Sequence, residues 1–247
     1  RAAALAPRHS LMPPLVLGAI AFAIGWALYA SGLGADIFRY KKDILYLVKQ
    51  HLMLVGISGS AAIVSGIALG VWLSRPSMAR YAEGAIQAVN MATSIPTLGK
   101  LALMMSLLGI GALPAIVGLW IATLLPIIRN TYEGIRAVPE HLLDAARGMG
   151  MGPRAILTRV ELPNALFVIF AGVRTAMAVN VGTAPIAFLI GGGGLGELIF
   201  TGIDLQEHGM MLAGAIPTVL LAVAVDFLFG QAQYWLVPRG VNPLRNS

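Results

Sequence analysis

The sequence predicts an all-α membrane protein, a polytopic bundle of about six transmembrane helices in a single domain, and three observations predict it. Hydrophobic residues make up 57% of the 247 positions and charged residues only 11%, where a soluble domain carries about 25% charged residues. Apolar runs near twenty residues recur along the chain, the length a helix needs to cross a bilayer. The longest polar interval, 139–163, falls between two of these runs and is dense in arginine.

The first expected span is 13–33, with Trp26 and Tyr29 toward its far end and Gly32 and Gly34 stopping it. No small-residue cleavage site follows it, so it reads as a retained segment. In 36–50, Ile37, Tyr40, Ile44, Leu47 and Val48 recur at helical spacing, opposite Arg39, Lys41, Lys42 and Lys49. That pattern predicts an amphipathic helix lying at the membrane surface and leading into the second span, 52–74. Within that span Gly66 and Gly70 share a face and permit close helix contact. Arg75-Pro76 ends it.

The third span is 84–108 and carries Asn90, Thr93, Ser94, Pro96 and Lys100; the fourth, 113–128, exits at Pro126 and Arg129. The fifth, 164–190, holds Arg174, Asn180, Thr183 and Pro185. A glycine-rich loop, 191–209, precedes the sixth span, 210–237, which contains Pro217 and Asp226.

Basic residues set the expected orientation, because cytoplasmic loops accumulate lysine and arginine. Six spans put both termini on one side with Arg1, Arg8, Arg75, Arg80, Arg129, Arg136, Arg147, Arg154, Arg159, Arg239 and Arg245. The other side holds only Arg39, Lys41, Lys42 and Lys49. Both termini and the polar interval are therefore expected in the cytoplasm of a bacterial cell.

The polar interval reads PEHLLDAARGMGMGPRAILTRVELP. Pro139 suits a first helical position, since its missing N–H has no helical partner there anyway. Glu140 favours the positive end of the helix dipole. Gly148, Gly150 and Gly152 weaken the helix end, and Pro153 starts a second short helix. Two short helices about a glycine turn predict a compact knob outside the membrane. Small residues at Ala145, Ala146 and Gly150 would let a partner approach the backbone closely.

Asp144-Ala145-Ala146 is followed by three residues and Gly150, then nine residues and Val160-x-Leu162-Pro163. This spacing resembles the EAA loop of binding-protein-dependent ABC importer permeases, with Asp for Glu and Val for Ile as conservative departures. NVGTAPIAFLIGGGGLGELI (180–199), GVRTA (172–176), SIPTL (94–98) and LLPIIRNTYEGI (124–135) resemble the permeases for glycine betaine, choline and carnitine in particular. Lys100 departs from the apolar residue expected in such a helix.

The resemblance implies a type I ABC importer permease fold and coupling through Asp144, Ala145, Ala146, Gly150, Val160, Leu162 and Pro163. It also implies three kinds of protein partner: a cytoplasmic ATPase dimer that carries ATP and Mg, a second permease subunit, and an extracytoplasmic solute-binding protein. No cofactor is expected in this chain itself. Compatible-solute uptake is the favoured role. An importer for another small solute such as an amino acid is the alternative. An ion-coupled secondary transporter would need internal repeats and a buried coupling acid, and Asp226 is the only acid within a span.

Catalytic and metal chemistry finds no support in the residues. The GGGGLG run at 191–196 is followed by Glu197 where a phosphate loop needs lysine. His9, His51, His141 and His208 lie at no metal-ligand spacing, and cysteine is absent. The basic balance is read by location along the membrane, not as a nucleic-acid footprint. Intramembrane polar residues are costly against lipid, so Asn90, Thr93, Ser94, Asn180 and Thr183 are candidates to line a solute path. Helix–helix hydrogen bonding is the competing reading for them. Arg174 is expected to pair with an acid such as Asp226 or to reach the interface along its stem. Trp26, Trp72, Trp120 and Trp235 read as an interfacial belt, or as cation–π partners for a quaternary ammonium.

Overall fold

Helices long and apolar enough to cross a membrane account for most of the architecture, in a computed structural model that describes residues 32–243 and 245, with Phe22, Gly25, Trp26 and Ala30 before them. The expected first span, 13–33, lies almost wholly outside the described residues. The chain order is α1 (Leu33–Arg39), α2 (Lys41–Leu73), α3 (Ala79–Thr93), α4 (Thr97–Leu108), α5 (Ala112–Arg136), α6 (Glu140–Gly148), α7 (Pro153–Ile156), α8 (Leu162–Thr183), α9 (Gly196–Asp204) and α10 (His208–Leu236). Four stretches meet the length and apolarity of a membrane span: Lys41–Leu73, Ala112–Arg136, Pro153–Ile190 and His208–Leu236.

The third expected span, 84–108, is not one straight helix. The segment Pro76–Thr93 and α4 meet at 98°. Pro96 causes the break: it cannot donate a helical N–H and it disfavours the helical region for Ile95. Pro96 itself is extended, at φ −56° and ψ 144°. The Thr93 hydroxyl closes the end of α3 by donating to the Asn90 carbonyl at 2.6 Å.

The surface amphipathic helix expected at 36–50 also differs. After the single turn at Tyr40, α2 runs unbroken for 33 residues, about 50 Å at 1.5 Å per residue. A hydrocarbon core is about 30 Å thick. The charged first turns, with Lys41, Lys42 and Lys49, are thus an extension of the spanning helix rather than a separate element. Likewise the fourth span does not end at 128 but continues to Arg136 through Pro126; membrane helices tolerate an internal proline where neighbouring groups re-satisfy the backbone. Here the Asn130 amide donates to the Pro126 carbonyl at 2.9 Å.

The core lies where α2, α5 and α8 pack together, with Leu54, Ala62, Leu101, Leu119, Ile127, Ala165, Val173 and Val181 buried in it. Gly70 makes the α2–α5 approach possible. A β-carbon there would stand 2.5 Å from Thr131 Cβ and 2.8 Å from the Ile128 carbonyl oxygen. Gly66 meets Ile127 in the same way, as their shared face predicts. The glycine run at 191–196 is structural: the Gly194 N–H donates to Gln50 Oε1 at 3.1 Å, tying the loop to α2.

Candidate functional site

The polar interval forms the expected knob. Pro139 stands just before α6 as its N-cap, with φ −59° and ψ 134°, rather than inside its first turn. Gly150 turns the chain at φ 77°, a left-handed conformation that glycine adopts without steric cost. α7 then runs through a π-helical turn, Leu157–Glu161, into α8. The second half of the knob is therefore continuous with a spanning helix.

Its predicted residues divide by burial. Asp144, Ala145 and Gly150 are exposed, and Asp144 accepts from Arg147 at 2.7 Å. Val160, Leu162 and Pro163 are half-buried, and Leu162 packs against the core. Ala146 is only 1% exposed, so its small side chain serves packing inside the knob and offers no surface to a partner. Met149 was not singled out, yet it is 70% exposed at the tip. A single exposed apolar side chain is ordinary on a protein surface, so Met149 serves as an accessible probe of the knob rather than as evidence of a contact. At the base, Arg75 Nη1 donates to Glu161 Oε2 at 2.6 Å, which fastens the knob to the end of α2.

The bend at Pro96 creates the second feature, a cavity of about 280 Å³ between α4, α5 and α8. Thr93, Ser94, Asn180 and Thr183, four of the five candidates for a solute path, line it together with Thr97, Lys100, Thr123 and Thr175. Asn90 is half-buried and does not line it. The mouth carries exposed Thr93, Ser94 and Pro96, while Asn180 is 1% exposed. The Asn180 amide donates to Ser58 Oγ at 3.0 Å, but its Oδ1 has no partner among the described residues. Cavity lining and helix bonding therefore coexist in this residue. The added lining residues escaped the sequence because an unbroken third span would point Lys100 elsewhere, and Thr97, Thr123 and Thr175 carry no pattern of their own.

Several other polar groups of the spans pair within the bundle. Arg174 Nε and Nη2 donate to the two Asp226 oxygens, both at 2.6 Å, the fork geometry that makes arginine–carboxylate pairs strong. That pair joins α8 to α10. His51 Nε2 meets the Val181 carbonyl at 3.1 Å, buried between α2 and α8. Trp120 lies inside the bundle and donates to Ser65 Oγ at 3.0 Å, whereas Trp72 and Trp235 are exposed, as a belt requires. Among the described residues no group of three or more His, Cys, Asp or Glu is placed to hold a metal ion.

Comparison with known proteins agrees with this architecture. The chain is 46% identical over 222 residues to the osmoprotectant import permease protein OsmY of Salmonella typhimurium, covering 89% of this chain and 94% of the relative. It is 39% identical to the choline transport system permease protein OpuBB of Bacillus subtilis, covering 82% and 93%. Among solved structures, an inward-facing MetNI methionine ABC transporter superposes with a TM-score of 0.69 at 26% identity, covering 81% of this chain and 96% of that one. Residues 9–240 match the family described as binding-protein-dependent transport system inner membrane component. The chain belongs to that family, and is a transport permease subunit of the ABC importer type.

Proposed function

We propose that this permease carries quaternary-ammonium osmoprotectants across the inner membrane, with the cavity at the Pro96 bend as its half of the solute path. The observation that carries this reading is the cavity itself, which gathers hydroxyl and amide side chains among spanning helices where polar groups are otherwise costly. Relatives similar over most of their length are named for osmoprotectant, choline and carnitine transport, which supports the solute class.

In this reading two permease subunits face each other across the path. The knob, 139–163, lies in the cytoplasm, as the arginine distribution favours, and both termini share that side. A cytoplasmic ATPase dimer, holding ATP and Mg²⁺, seats on the exposed face around Ala145, Met149 and Gly150, and an extracytoplasmic binding protein delivers the solute. Because α7 is continuous with α8, a displacement of the knob is transmitted as a rigid-body movement to Asn180 and Thr183. The permease thus contributes two alternative packings, whose balance the ATPase biases through differential binding.

The similarity to a methionine transporter favours one second reading, an amino-acid importer. Reconstitution of the permease in liposomes with its ATPase and binding protein separates the two. ATP-dependent uptake of labelled glycine betaine supports the proposal. Uptake of methionine without uptake of any quaternary amine overturns it.

A further inference from the structure

Among the described residues, Lys100 is the one lysine or arginine that lines the cavity, and no aspartate or glutamate lines it. The residue is 8% exposed, and its ammonium is not among the fully buried unpartnered groups, so it opens into the cavity that Lys100 lines. Among the described residues no hydrogen bond or ion pair engages it. A partly desolvated cation without a counter-charge in its cavity favours an anionic occupant.

The helix carrying Lys100 adds a second, independent contribution of the same sign. The N-terminus of α4 begins at the cavity wall with Pro96 and Thr97. No side chain caps it, so the first N–H groups of this 12-residue helix lack intrahelical acceptors. Such a terminus favours negative charge. The cavity also lacks the opposite chemistry. Among the described residues no Phe, Tyr or Trp lines it, so these residues offer no aromatic face to a quaternary ammonium.

We propose that Lys100 is the specificity-determining residue of this cavity. It pairs with the carboxylate of zwitterionic solutes, so that the permease accepts carboxylate-bearing quaternary amines and turns away carboxylate-free cations such as choline. The proposal rests on the reading of the cavity as the solute path. A zwitterion such as glycine betaine places its carboxylate against the Lys100 ammonium and the α4 terminus. Choline brings only a positive charge to a positive wall and is repelled. Discrimination at this point acts within the membrane, downstream of the binding protein.

Because the chain has no cysteine, one introduced thiol reports on the cavity directly. In the permease–ATPase complex in nanodiscs, a Thr183→Cys background is modified with a maleimide in the presence of glycine betaine or of choline. Glycine betaine is expected to slow modification, and choline to require a concentration about tenfold higher or more, the loss expected for one charge-assisted hydrogen bond. Lys100→Met is expected to abolish the preference and Lys100→Arg to retain it. Equal protection by both solutes in the Thr183→Cys background overturns the role of Lys100 while leaving the solute path in place. Protection by neither, with ATP-driven glycine betaine uptake intact, overturns the path itself. The first comparison needs no Lys100 variant, so a Lys100→Met protein that fails to assemble does not rescue the proposal.

Discussion

Arg75 and Glu161, 86 positions apart, close a partly buried ion pair of 2.6 Å that fastens the knob to the end of α2. Arg75 also donates from Nε to the Val71 carbonyl at 3.1 Å and from Nη2 to Ser74 Oγ at 2.8 Å. One guanidinium therefore satisfies the last turn of α2 and holds the π-helical turn that leads into α8. The side chains are 23% and 14% exposed, so loss of one leaves the other poorly solvated.

Glu161→Ala is expected to destabilise the folded protein by about 1–3 kcal/mol, the cost of an unsatisfied, partly buried charged group. Asp144→Ala, which breaks an exposed pair, should cost within about 0.5 kcal/mol. Thermal unfolding of the detergent-purified protein compares them directly. Equal effects would show that the Arg75–Glu161 contact does not secure the knob.

Close approach of α2 and α5 makes a second prediction. Gly70→Ala places a methyl group against Thr131 and the Ile128 carbonyl, and overpacking of this kind costs about 1–3 kcal/mol. Gly56, in the same helix, has open space at its β-carbon position. Gly56→Ala should be neutral or stabilise by up to about 1 kcal/mol through helix propensity. An unfolding transition unchanged by Gly70→Ala would mean that the two helices are not held at this distance.

Ala145 and Ala146 provide a third test, because they are adjacent but face different surroundings. Ala146→Trp should disrupt the knob itself, lowering stability and with it ATPase binding, since the site is closed. Ala145→Trp should leave stability unchanged and impair ATPase binding alone. Similar thermal stability of the two variants would place Ala146 at the surface instead.

Much of this arrangement was legible in the sequence. The apolar runs marked the second, fourth, fifth and sixth spans, because length and apolarity alone decide what crosses a bilayer. The Asp144–Pro163 spacing marked the knob, and Gly66 with Gly70 marked a close helix contact. The pairing of Arg174 with Asp226 followed from the cost of leaving either unpaired within a span. Other features were hidden for physical reasons. Pro96 announces a break but not its angle, and the 98° bend decides that Lys100 meets the cavity. No breaker separates the charged turns of α2 from its apolar ones, so the change of composition there is not a change of element. A small residue such as Ala146 signals a tight contact without saying whether the crowding comes from its own chain or a partner.

The account turns on the knob as a docking surface, and Met149 offers the most direct measurement of it. Met149 is 70% exposed at the tip and stands outside every spanning helix, so Met149→Glu should fold and insert normally. Co-purification of the ATPase with this variant, measured beside ATP-dependent uptake in liposomes, tests whether that tip engages the partner. The ATPase is expected to be lost and uptake to fall to background, while the thermal transition of the permease stays unchanged. Retention of the ATPase with uptake at the level of the unsubstituted protein would contradict the account.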